Sequence, residues 1–148
     1  MTPQQRIESD VKTALKAGEK ERLGTLRMLL ADLKNERIRA GAEVDEAGFV
    51  TLLRKAIKQR NDAAEGFRKG DREESAAKEE REAAILEEYL PEQADEADVR
   101  AAIEKFVADE GLSGPQAMGR VMGTMIKKFG ASADGGTISR IARQVLAD

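Results

Sequence analysis

Apolar residues in this chain recur at intervals of three and four almost from end to end, and no segment alternates apolar and polar residues with the β-branched enrichment of a strand. A striped helix gains stability by burying its stripe against another helix. The expected fold is therefore all-α, and the question becomes where each helix starts and stops.

The punctuation is legible. Thr2-Pro3-Gln4-Gln5 offers an N-cap, a proline at the first helical position and a glutamine that closes a capping box. Ile7, Val11, Ala14 and Leu15 give this first helix an inner stripe, and Gly18 suits its end. A second helix is predicted over about 20–39, with Leu23, Leu26, Leu30 and Leu33 as a seam widened by Leu29, stopped by Gly41. Asp45 is placed to cap a third, over about 46–69, that buries Phe49, Leu52, Leu53, Ala56, Ile57, Ala63, Ala64 and Phe67. Asp71 and Glu74 form a capping pattern for a fourth, over about 72–88, whose inner side is Ala76, Ala77, Ala83, Ala84, Leu86 and Leu90. Small residues on that seam allow close helix approach. The basic cluster Arg54, Lys55, Lys58 and Arg60 is expected to pair with Glu79, Glu80 and Glu82 opposite.

Pro91 disfavours helix at Leu90 and opens a linker. A fifth helix follows Asp95, with Val99, Ala102, Ile103, Phe106 and Val107 inside and Gly111 as its stop. The expected organisation is an N-terminal four-helix domain with long helices, residues 1–93, and a C-terminal three-helix domain, residues 94–148.

The stretch from Gly114 to Leu146 supplies the last two helices. On a wheel of roughly 100° per residue, Met118, Val121, Met122, Met125, Ile126 and Phe129 share one side. Arg120, Thr124, Lys127 and Lys128 share the other, and Gly119 and Gly123 lie between as a strip of nearly bare backbone. Asp134 can cap the next helix, whose inner stripe is Ile138, Ile141, Ala142 and Val145, with Arg140 and Arg143 outside. The overall charge of −3 hides an asymmetry. Residues 111–148 carry five cationic side chains against two carboxylates, whereas residues 94–110 carry two against six.

Several function classes are disfavoured. With neither cysteine nor histidine, the chain lacks thiol chemistry, the commonest general base and the commonest metal ligand. The glycine-rich run from Gly130 to Gly136 lacks the Lys-Ser/Thr of a phosphate-binding loop. The glutamates of the fourth helix read as solvated helix face in preference to metal ligands. No apolar run approaches the length of a membrane span, and the N-terminus lacks an apolar signal segment, so a soluble cytoplasmic protein is expected. No catalytic residue, metal or cofactor is expected.

Ile57-Lys58-Gln59-Arg60, the run Glu79 to Leu86, Tyr89-Leu90-Pro91, Met118-Gly119-Arg120-Val121-Met122 and Ala133-Asp134-Gly135 with Ile138-Ser139 together resemble the GatB/YqeY family over essentially the full chain. The resemblance implies a long-helix N-terminal domain and a three-helix C-terminal domain. The latter is similar to the tail of the B subunit of the glutamine-dependent tRNA amidotransferase, a carbon–nitrogen ligase whose tail recognises tRNA while its chemistry resides elsewhere. It also implies tRNA, or amidotransferase or synthetase subunits, as partners. Ala131-Ser132 and Gly136 depart from the family's usual basic turn.

The candidate RNA-contacting residues are then Gly119, Arg120, Gly123, Lys127, Lys128, Arg140 and Arg143. Two blander readings stand beside that one: the cations serve solubility, and the glycines serve close helix packing. A protein-interaction adaptor without an RNA role is the alternative function. The discriminating feature is whether Arg120, Lys127 and Arg140 form one continuous patch or are neutralised by the acidic fifth helix.

Overall fold

A computed structural model describes residues 1–147, and among them it contains seven α-helices, two one-turn 3-10 segments and no strand. The chain divides into two compact units, the first ending at Leu90 and the second beginning at Pro91.

The first unit holds α1 (Pro3–Ala17), α2 (Lys20–Ala40), α3 (Glu46–Lys69) and α4 (Glu73–Glu87). The anticipated caps form: Thr2 and Gln5 close the capping box, and Asp45 Oδ1 accepts from the Gly48 N–H at 2.8 Å. Gly18 and Gly41 end α1 and α2 with φ of 72° and 69°, a conformation that glycine adopts without the Cβ clash other residues meet. Asp71 does not cap α4. It sits in the turn at φ 58°, and α4 begins after Arg72 with no side-chain cap.

The core of this unit gathers Ile7, Leu29, Leu33, Phe49, Leu53 and Leu86. Ala64 on α3 and Ala76 and Ala83 on α4 are buried, as expected of a close α3–α4 seam. Two residues assigned to inner stripes point outward instead, Leu15 and Ala84. Leu15 stands about 80° from Ile7 on the α1 wheel, so it falls beyond the edge of the buried arc. The basic cluster on α3 divides. Arg60 reaches Glu79 and Glu82 on α4, whereas Lys58 pairs with Asp62 of its own helix at 2.7 Å.

The end of α4 is fastened to α1 by Tyr89. Its Oη donates to Asp10, and its ring meets Phe49 edge-on with centroids 6.4 Å apart. Burial and then the Asp10 carboxylate push the phenol's pKa above its usual value. A raised acid pKa means the native state holds its proton beyond the point where the unfolded chain releases it, near pH 10. That contribution is present below pH 10 and lost as the pH rises further. Tyr89→Phe is expected to cost about 1–2 kcal/mol near neutral pH, because it removes a bond to a charged acceptor. The urea midpoint of the parent protein should then fall more steeply above pH 10 than that of the variant.

The second unit holds α5 (Glu96–Glu110), a 3-10 turn (Pro115–Ala117), α6 (Met118–Phe129), a second 3-10 turn (Gly130–Ser132) and α7 (Gly135–Ala147). Its core is Val99 and Ile103 of α5, Val121 and Met125 of α6, and Ile138, Ile141, Ala142 and Leu146 of α7, with Ala117 at the edge. Leu146 joins this core alongside the expected stripe, and Val145 is only partly buried. No helix among the described residues is long and apolar enough to cross a membrane.

Candidate nucleic-acid interface

The sequence of α6 fixes which side faces in. Val121 and Met125 are buried and Met118, Met122 and Phe129 pack against the core, so these methionines serve as adaptable filler. Ile126, expected on the same side, is 50% exposed. It lies about 100° from Met125 on the wheel, past the edge of the buried arc.

The five cations of α6 and α7 separate into two groups. Arg120 pairs with Glu110 of α5 at 2.7 Å, and its guanidinium stands 5.9 Å from the centre of the Phe106 ring. Arg140 pairs with Glu96 at the other end of α5. Acidic α5 thus engages one arginine from each of the two helices. Lys127, Lys128 and Arg143 are exposed, and among the described residues none of them has an ion-pair partner. Arg120, Lys127 and Arg140 therefore do not act as one free basic patch.

Gly119 and Gly123 are both exposed, and a Cβ built on either would meet nothing within 4 Å. Among the described residues, close packing against either glycine is absent. They leave a strip of open helix backbone beside Lys127, at a conformational cost of about 1 kcal/mol each relative to alanine.

The turn between α6 and α7 is held from outside those helices. Gln93 Nε2 donates to the Ala131 carbonyl at 3.1 Å, and the Ala94 N–H donates to the Ser132 carbonyl at 2.7 Å. Ser132 Oγ in turn donates to the Phe129 carbonyl at 2.6 Å. The Asp134 carbonyl accepts from the Ile138 N–H at 3.1 Å in the first turn of α7. These bonds hold the turn between α6 and α7 in place.

Sequence reasoning identified the cations but missed which ones Glu96 and Glu110 would take. The polarity of residues 94–110 was the available signal, and only the packing of α5 against α7 and α6 turned it into specific pairs.

The sequence profile described as Yqey-like protein matches residues 4–146. The chain is also similar to "Altered inheritance of mitochondria protein 41, mitochondrial" of Lachancea thermotolerans, 34% identical over 74% of this chain and 60% of that protein. The protein of the same name from Vanderwaltozyma polyspora is 31% identical over 70% of this chain and 57% of its own length. That from Pyrenophora tritici-repentis is 27% identical over 95% and 79%. The chain thus spans about three fifths of the first two relatives.

Proposed function

The chain belongs to the Yqey-like protein family, and from that premise we propose that it is a non-catalytic accessory protein that binds tRNA and assists a glutamine-dependent tRNA amidotransferase. The contact surface is the solvent side of α6 and α7, centred on Lys127, Lys128 and Arg143. The observation that carries this reading is the pairing pattern. Among the described residues Lys127, Lys128 and Arg143 have no ion-pair partner, and Lys127 follows one turn after the open backbone of Gly119 and Gly123. Phosphate recognition needs available positive charge and benefits from open backbone. With aromatics at 3% of the chain, stacking on single-stranded bases is disfavoured, which leaves recognition of folded RNA by shape. The carbon–nitrogen ligase chemistry belongs to the partner enzyme in this reading, and the site of action is the cytoplasm.

Filter binding with total tRNA tests it. Three available charges imply weak binding whose logarithm falls with log salt at a slope of about −2 to −3. Lys127→Glu, Lys128→Glu and Arg143→Glu together should abolish binding. Arg120→Glu with Arg140→Glu should weaken it less, because those guanidiniums already answer carboxylates. Gly119→Ala and Gly123→Ala should raise stability by about 1 kcal/mol each and still reduce binding. Salt-insensitive binding, or binding unmoved by the triple reversal, would refute the proposal.

A further inference from the structure

The first unit carries a second surface that this reading does not use. Helix α2 is occupied on its inner sides: Leu26, Leu29 and Leu33 are buried, Glu21 pairs with Arg81 of α4 at 2.8 Å, and Met28 Sδ lies 3.5 Å from Arg60 of α3. Its outer side is a row of Lys20, Gly24, Arg27, Ala31, Lys34 and Ile38, all exposed. At roughly 100° per residue these six fall within an arc of about 80°. They step by four and three in strict alternation, and no carboxylate lies among them.

Elsewhere in this unit most arginines are matched, although Lys12, Lys16 and Lys55 also stand without an ion pair among the described residues. Arg6, Arg22, Arg37, Arg39, Arg60, Arg68 and Arg81 all stand in ion pairs. Lys20, Arg27 and Lys34 have none, and no hydrogen bond from their side chains occurs among the described residues. Gly24 weakens a helix interior by about 1 kcal/mol relative to alanine, yet a Cβ there would meet nothing within 4 Å. Ile38 is 76% exposed at the end of the row, and Met28, on its shoulder, is 58% exposed.

We infer that this outer face of α2 docks an acidic amphipathic helix of a partner protein. The three cations repeat every seven residues, about 10.5 Å along the axis, which is the spacing of carboxylates seven apart on a facing helix. Gly24 and Ala31, interleaved with them, allow that helix to approach closely, while Ile38 takes its apolar residues. This is the arrangement in which flanking charges select a helical partner over a small or apolar seam. A phosphate backbone would satisfy the cations but leave the alkyl groups without contacts, so a helix fits the row better than a nucleic acid does. The inference concerns the first unit and stands independently of tRNA binding by the second.

The test is fluorescence anisotropy with the full chain and three synthetic helical peptides of about 21 residues, matching the length of α2. They share one apolar heptad row and carry glutamate, glutamine or lysine at flanking positions seven apart. The glutamate peptide should bind saturably and the lysine peptide should not. The combined variant Lys20→Glu, Arg27→Glu, Lys34→Glu should lose about tenfold or more toward the glutamate peptide and gain binding to the lysine peptide. That exchange also demonstrates that the variant is folded, and helix content by circular dichroism checks it separately. Indifference to peptide charge overturns the inference. So does tighter binding of duplex RNA or of anionic phosphatidylglycerol vesicles lost in the same variant, or a homodimer in sedimentation that the variant dissociates.

Discussion

Ile141→Ala is expected to unfold the second unit while the first keeps its helices. Ile141 is fully buried, at the meeting of Val99 and Ile103 from α5, Val121 and Met125 from α6, and Ile138 and Ala142 from α7. Removing three methyl or methylene carbons there should cost about 2–5 kcal/mol, the transfer loss plus the cavity left behind. A unit of this size holds a single core that supplies only about 3–5 kcal/mol in total. One substitution therefore removes most of its stability. In a two-dimensional NMR spectrum, amide signals from Pro91 onward should collapse toward unfolded positions while those of α1–α4 persist. Ile141→Val, at about 0.5–1.5 kcal/mol, should leave the unit folded. If both units melt together in Ile141→Ala, their stabilities are coupled and the expectation fails.

Arg60→Ala should produce the largest loss of any charged-residue change in the first unit, about 3 kcal/mol. The Arg60 side chain is 12% exposed and lies between Glu79 and Glu82, at 24% and 13%. Removing the guanidinium leaves two largely buried carboxylates, with Lys78 at 3.9 Å from Glu82 and Arg81, which is already paired with Glu21, as their other cationic neighbours. The cost comes from leaving those charges uncompensated more than from losing one attraction. At about 4–8 °C per kcal/mol for a domain of this size, the melting midpoint should fall by more than 10 °C. Two comparisons isolate the cause. Arg68→Ala breaks an exposed pair of contacts to Glu73 and Glu80 and should leave the midpoint almost unchanged. Arg60→Leu with Glu79→Gln and Glu82→Leu should recover most of the loss, since no buried charge remains. A shift in Arg60→Ala no larger than that in Arg68→Ala would show the network to be dispensable.

Both expectations rest on features that the sequence disclosed unequally. Ile141 was legible as core because its neighbours Ile138 and Ala142 recur at three and one along α7, and a helix that short has one apolar side. Arg60 was legible as a cation facing α4 glutamates, but the same reading extended to Lys58, which turned to Asp62 on its own helix. The errors in burial sit at stripe margins, at Leu15, Ala84 and Ile126, where the wheel places a residue near the boundary and the neighbouring helix decides. On α2 the outward row of Lys20, Arg27 and Lys34 was visible in the spacing, yet nothing in the sequence distinguished it from charges that would find partners.

The sequence by itself determined the helical class, most helix ends and most of the inward faces. Those depend on interactions within four residues: the backbone bonds of a turn, a capping oxygen at Thr2 or Asp45, a left-handed glycine at 18, 41 or 111. Only the tertiary structure decided which positive charges remain available. Glu96 takes Arg140 from 44 residues away and Glu110 takes Arg120, because α5 packs against both α7 and α6. Pairing at that range depends on the relative placement of helices to within an ångström or so, since a side-chain contact forms or fails over that distance. Periodicity specifies the face a residue occupies; it does not specify the height of the carboxylate that comes to meet it.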